Sequence, residues 1–323
     1  MAIVVGIDEA GYGPLLGPLV VTGVAFEVPD EVAAAGSPDL WSLLSDSVTR
    51  RPSRRDLRLP VLDSKKLYQR AAGLSLLEGS ALAMLQSAQP PPGTFLELLR
   101  RIAPQSRELL AQYPWYRDLD FELPVEADAT AVAMKANAVR RNARAAGVRL
   151  AGVVCEPLLE GHFNRLVNST RNKAVVLLGV TLRIVQRLLA RARGRTTRVF
   201  VDRQGGRSRY LDPLMTAFAE FELEVLEESA RRSAYRLIQA PSAHTVEFRT
   251  DGEDHHLPIA LASIVSKYVR ELFMKGLNHY WSARVAALRP TAGYYTDALR
   301  FLEDIAPAVQ RERIDRDLLV RQR

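Results

Sequence analysis

The feature that most constrains the fold is a short apolar run that ends in acid. Residues 2–8 read as a buried strand: Ile3, Val4, Val5 and Ile7 precede a tip formed by Asp8 and Glu9. Gly-Tyr-Gly-Pro follows at once. Adjacent carboxylates at a buried strand tip repel each other and resist desolvation, so folding gains nothing from them. A positive group is therefore expected there in the working protein, and the glycines leave room for something else to come close. A second apolar stretch beginning at Thr197 ends the same way, with Asp202 just ahead of two glycines. Ligand sites in open α/β sheets gather at strand ends, so these acids are expected to converge.

Other segments fill in the architecture. Residues 17–27 read as a strand joined to the first by a Gly/Pro-rich turn, and further strands are expected at 148–156, 221–229 and 233–240. Helical periodicity covers 129–146, then 158–193 with a break near Asn168, then 257–277 and 296–305. Asp63-Ser64 has the form of a helix N-cap ahead of Lys65 and Lys66. Residues 89–93 form a loop, and 94–128 supply aromatics without a clear period. Strands interspersed with helices imply a mixed sheet flanked by helices.

Composition narrows the function classes. With 323 residues, 47% hydrophobic and 25% charged, the chain can bury a sizeable core. No apolar run approaches a membrane span, and the opening lacks the basic start of a signal peptide, so a cytoplasmic location is expected. Cys155 is the single cysteine, which excludes an intrachain disulfide and a cysteine-based zinc site. The net charge of +7 comes mostly from arginine, including a stretch from Thr49 to Arg58, and is compatible with a polyanionic partner such as nucleic acid.

A third acidic group, Asp251, Glu253 and Asp254, lies just before the helix at 257. Several carboxylates without cysteine suit a hard cation, Mg²⁺ or Mn²⁺. Two such ions bridged by carboxylates form the usual clamp for in-line attack of water on a phosphodiester. The bland alternative is that acids at strand ends are solvated turn residues or caps. In the helix at 257–277, Ser263, Lys267 and Arg270 share one face, opposite Leu261, Ile264, Val265, Tyr268 and Leu272. Such a face would lay a hydroxyl and two cations along a phosphate backbone, or be merely the wet side of a core helix. His255 and His256 could assist proton transfer or be solvated loop residues. No Ser-His-Asp triad is supported, and the glycine-rich turn lacks the Lys-Ser/Thr of a P-loop.

The motif GIDEAGYGPLLGPLVV at 6–21 resembles the signature of the type-2 ribonuclease H family, the ribonucleases HII and HIII. The similarity continues in LDSKKL at 62–67, VFVDRQGG at 199–206, ALASIVSKYVRE at 260–271 and AGYYTDAL at 292–299, all in the family's order. It implies a ribonuclease H-like α/β fold: a mixed five-stranded sheet flanked by helices, a helical C-terminal part and a large insertion. The corresponding division is a catalytic domain over 1–280, with the insertion at about 74–157, and an extension over 281–323. The implied activity is Mg²⁺- or Mn²⁺-dependent cleavage of RNA in RNA–DNA hybrids or at ribonucleotides embedded in duplex DNA, leaving a 5′-phosphate. The protein is expected to be a monomer without membrane contact. The alternatives are a nuclease of the same fold acting on another structured nucleic acid, and a non-catalytic nucleic-acid-binding module.

Carried over residue by residue, Asp8, Glu9 and Asp202 match the family's first three acids. Glu253, ten positions before Ser263, matches the fourth, where the HII branch has Asp and the HIII branch Glu. Lys65 and Lys66 match lysines expected on phosphate, joined there by Ser263 and Lys267. Tyr294 matches a tyrosine expected near the sugar at the cut. The departure is Gly11-Tyr12-Gly13, where the family has Gly-Arg-Gly. The backbone of Gly11 and Gly13 would still read a ribose 2′-hydroxyl. Tyr12, however, lacks the charged fork that arginine would bring to phosphate.

Overall fold

The computed structural model describes residues 1–34, 38–53, 56–68 and 73–322. Seven strands form one mixed sheet: β1 (Ala2–Ala10), β2 (Leu19–Val28), β3 (Arg149–Leu158), β4 (Thr197–Asp202), β5 (Glu222–Glu228), β6 (Arg232–Gln239) and β7 (Ser242–Arg249). Their order is β3-β2-β1-β4-β7-β6-β5. β4 runs parallel to both β1 and β7, and the other pairings are antiparallel. The expected mixed sheet is therefore present with seven strands rather than five. The five from β3 to β7 form its body, and β6 and β5 lengthen one edge.

The pattern of residues 242–249 gives little warning of β7. His244, Thr245 and Glu247 interrupt its apolar positions, yet Val246 and Phe248 are fully buried. Glu247 is held by the Arg232 guanidinium of β6 at 2.8 Å, which makes a charge tolerable in that strand.

Strand alternation divides the core in two. On one face of β1, Ala2 and Val4 pack under α7 (Leu257–Ser282) and α2 (Ser75–Ala88). On the other, Ile3, Val5 and Ile7 pack under α5 (Lys173–Ala192). Gly6 is required for the first layer. A Cβ there would lie 2.1 Å from the Pro258 carbonyl carbon and 2.2 Å from the Ile259 nitrogen, so α7 starts in backbone contact with β1.

The helical run expected over 158–193 is two helices. α4 (Glu160–Thr170) ends at Arg171, with φ of 52°, and Asn172 caps α5 by accepting from Ala174 N at 2.9 Å. α3 (Ala129–Ala145) stands where its periodicity places it. Residues 94–128 do more than link elements. Phe95 and Tyr116 pack edge-on against Phe273 of α7, with ring centroids 5.2 and 5.0 Å away. The buried Glu78 carboxylate of α2 accepts from the backbone nitrogens of Val125, Glu126 and Ala127 at 2.7–2.8 Å and from the Tyr268 hydroxyl at 2.8 Å. This ties the stretch to both helices.

α7 departs from the expected amphipathic helix, because the sheet covers one side and this second layer covers the other. Arg270, expected on a wet face, is 1% exposed. Its guanidinium donates to the carbonyls of Leu16 at 3.2 Å and Ala292 at 3.0 Å. α8 (Tyr295–Arg311) and α9 (Arg316–Leu319) then carry the chain back to the β1–β2 loop, where Arg321 N donates to Leu15 O at 2.8 Å. Among the described residues no helix is long and apolar enough to cross a membrane.

Candidate active site

β1 and β4 pair in parallel with Ile7 opposite Val201, so the next residues, Asp8 and Asp202, end side by side. Alternation turns both toward the α7 face, after Val4 and Phe200, and turns Glu9 toward the α5 face, after Ile7. The Asp202 carboxylate accepts from Gly252 N at 2.9 Å, which fastens the one-turn helix α6 (Gly252–His255) to the strand tip. That helix delivers Glu253. The Ser263 hydroxyl, 4% exposed, stands 3.4 Å from a Glu253 carboxylate oxygen and 3.0 Å from the Ser64 hydroxyl. Its α7 neighbour Ser266 donates to the Asp8 carbonyl at 3.1 Å.

The four acids sense one another. Burial, then the charges of Glu9 and Asp202, push the Asp8 carboxyl well above the usual range. Burial and Asp202 lift Glu9 to about 7. Burial and Asp63 lift Glu253 to about 7. Burial likewise raises Asp202. The answering cation is Lys65, placed by α1 (Ser64–Leu67), whose N-cap Asp63 accepts from Lys65 N at 2.8 Å. Burial works against the Lys65 ammonium, but Glu253, Asp63, Asp8 and Asp202 outweigh it and hold its pKa above the ordinary value.

One ammonium does not neutralise four carboxyls. Among the described residues, no three Asp, Glu, His or Cys side chains already stand in ligating positions. What the cluster offers is an oxygen-only donor set with excess negative charge, each member pushed toward its neutral form. That chemistry fits a hard divalent cation, whose charge would return the carboxyls to the ionised state.

The remaining expected residues separate into groups. Asp254 is not directed into the cluster: its carboxylate lies 3.7 Å from Lys66 Nζ, and both side chains are more than half exposed. Asp251, left-handed at φ 54°, is sensed by Asp202 as a nearby charge. Lys267 pairs with Glu271 at 2.9 Å and its ammonium lies 4.8 Å over the Tyr68 ring. Tyr294 is 52% exposed beside the β1–β2 loop, whose Leu15 N donates to Gly293 O at 2.8 Å. The two histidines differ. His255 is exposed, whereas His256 is 1% exposed, stacks on Phe200 at 3.9 Å, and is pushed by burial to about 3. His256 is a neutral core residue, neither solvated nor placed to move protons.

Within the loop, Gly11 takes φ of 87°, and a Cβ there would meet the Arg270 side chain at 2.5 Å. Around a Cβ at Gly13 nothing lies within 4 Å. Tyr12 packs its ring partly against the α5-side core. Two further residues shape this loop without any sequence signal. Arg321 is 2% exposed and donates to the carbonyls of Gly11 at 2.6 Å and Pro14 at 3.1 Å. Lys173 holds its ammonium 4.8 Å from the centre of the Tyr12 ring. A charge in the last three residues, or at a helix start, reads by itself as solvated. Beside the acids, Arg50, Arg51, Arg58 and Lys66 line a cleft of about 740 Å³ that includes Glu253. Residues 54–55 of the Arg-rich stretch lie outside the described residues.

No family model matches the chain. A ribonuclease HII of Gluconobacter oxydans (strain 621H) is 47% identical over 60 residues, which are 19% of this chain and 26% of that protein. The chain thus matches about a quarter of that relative's length. Over those 60 residues the chain is similar to a ribonuclease HII. Solved structures of similar shape include ribonuclease HII from Archaeoglobus fulgidus in complex with PCNA, at 17% identity, covering 99% of this chain and 94% of that one, with a TM-score of 0.45. Ribonuclease H2 from Pyrococcus horikoshii OT3 is 13% identical, covering 98% and 92%, with a TM-score of 0.44. At those scores the fold rests on the strand order above.

Proposed function

We propose that this protein is a divalent-metal-dependent endoribonuclease that cuts RNA in RNA–DNA hybrids or at ribonucleotides within duplex DNA. The observation that carries the reading is the gathering of Asp8, Glu9, Asp202 and Glu253 at the paired tips of β1 and β4, with the exposed Lys65 as their counter-charge. A binding module would bear the repulsion among these acids to no purpose.

Asp8, Glu9, Asp202 and Glu253 would hold Mg²⁺ or Mn²⁺, which supplies charge to activate water and to stabilise the phosphodiester under attack. The chain's own residues do the rest. Lys65 directs an ammonium at the phosphate that is drawn to the cluster. Ser263 steadies the Glu253 carboxylate. The open side of Gly13 lets the backbone approach a ribose, while Tyr294 offers an exposed ring for the sugar. Arg50, Arg51, Arg58 and Lys66 in the adjoining cleft favour a polyanion passing the acids.

The test is a matched panel of labelled duplexes: hybrid, DNA with one embedded ribonucleotide, duplex RNA and duplex DNA, in Mg²⁺, in Mn²⁺ and in chelator. Divalent-dependent cutting confined to the hybrid and the embedded ribonucleotide is expected. Cutting of duplex RNA or DNA instead would move the assignment to another nucleic acid. Binding without any cutting would leave a binding module.

A further inference from the structure

The Lys173 ammonium has one contact among the described residues, the Tyr12 ring at 4.8 Å, and no carboxylate pairs with it. Its position does not serve the helix. Lys173 opens the 20-residue α5, whose first turn has no acidic residue, so the cation faces the positive end of the helix dipole. A residue that is electrostatically misplaced for its helix, and yet held over an aromatic face, is accounted for by an anion that arrives from outside.

The surroundings say where such an anion would run. Tyr12 lies three residues beyond Glu9, and its hydroxyl is raised by burial and then by the Glu9 charge, so the ring borders the acid cluster. The backbone under the ring is fixed, because Arg321 takes the carbonyls on either side, Gly11 and Pro14. Lys65 approaches the acids from the α7 face, while Tyr12 and Lys173 belong to the α5 face. A ring contact leaves the ammonium's three hydrogens available to oxygen acceptors.

We propose that Lys173, carried on the Tyr12 ring, binds a backbone phosphate of the nucleic-acid strand that crosses the acid cluster, on the side of the sheet opposite Lys65. This rests on the reading of the acids as a nucleic-acid site. Tyr12 is then a platform: it brings a cation to the loop from a neighbouring helix, although it carries none itself.

The experiment measures binding rather than cleavage. Fluorescence anisotropy with a labelled RNA–DNA hybrid and the matching DNA duplex is followed from 50 to 300 mM KCl in chelator. Lys173→Ala should lower the slope of log K against log salt by about 0.7–0.9 and weaken binding about 5- to 8-fold at 0.1 M salt. Arg191→Ala, at the far end of the same helix about 27 Å away, should change neither. Tyr12→Phe keeps the ring and should match the parent. Tyr12→Ala frees the lysine and should lose part of the slope. Tyr12→Arg combined with Lys173→Ala should restore it.

An unchanged slope in Lys173→Ala, or one altered no more than in Arg191→Ala, overturns the proposal. So does a parent that binds neither duplex, and so does Tyr12→Ala retaining the full slope. Failure of the nuclease reading looks different: the parent cuts nothing in Mg²⁺ or Mn²⁺, yet Lys173→Ala still flattens the salt dependence.

Discussion

Glu160 gives a prediction whose sign and size follow from burial. It opens α4 beneath the β1–β2 loop, is 0% exposed, and accepts from the Tyr116 hydroxyl at 2.8 Å. Burial raises its carboxyl from 4.5 to about 7, against smaller opposing effects from its hydrogen bonds and the Arg321 charge. The folded-state value lies above the unfolded one, so on raising the pH the unfolded chain gives up this proton first. Stability is therefore lost between about 4.5 and 7 and stays lost above that. At about 1.4 kcal/mol for each factor of ten in acidity, the loss is about 3 kcal/mol.

Glu160→Gln keeps the shape and the acceptor for Tyr116 but removes the ionisation. It also removes the attraction to Arg321, a guanidinium already pushed down to about 9 by burial, so the net gain at pH 8 should be about 2 kcal/mol. For 323 residues that is about 3 °C in Tm. Denaturant unfolding at pH 5 and pH 8 reads it out: near-equality at pH 5, and the variant more stable at pH 8. If the variant is less stable at pH 8, or the parent's stability does not fall between the two pH values, the reasoning is wrong.

The other expectations concern the site and its loop. Asp8→Asn and Glu253→Gln should abolish divalent-dependent cleavage of hybrid duplex while leaving stability in chelator unchanged or higher, because each removes a repelled charge. Asp254→Asn should retain cleavage, since its carboxylate faces Lys66, and a loss as large as that of Glu253→Gln would show that the wrong acid was chosen. Gly11→Ala should cost about 1–3 kcal/mol through its positive φ and the crowding by Arg270, whereas Gly13→Ala should stay within about 0.5 kcal/mol. Thermal melts distinguish the two. Arg321→Met leaves the Gly11 and Pro14 carbonyls without their donor and should cost about 2–4 kcal/mol, with faster amide exchange over residues 11–17.

Much of the site is written locally. An apolar run that ends in Asp8-Glu9, and another that ends in Asp202, state the strand, its direction and its charged tip, because period-two burial and a terminal acid are properties of a few consecutive residues. The glycine-rich turn and the capped start at Asp63 are legible for the same reason. Other features depend on partners that no local pattern names. Among three neighbouring acids, Glu253 is turned inward because α6 is pinned to Asp202 through Gly252 N. Arg270 looks like a wet-face cation until the layer from residues 94–128 covers its helix, and then its fork belongs to loop carbonyls. Lys173 and Arg321 are ordinary charges in sequence, 161 and 309 positions beyond Tyr12. They gain meaning only when packing sets one over its ring and the other under its backbone. Periodicity along a chain reports which face is buried. Which charge meets which is decided by long-range packing, since the energy of an ionic contact depends on distance and burial that only the folded chain provides.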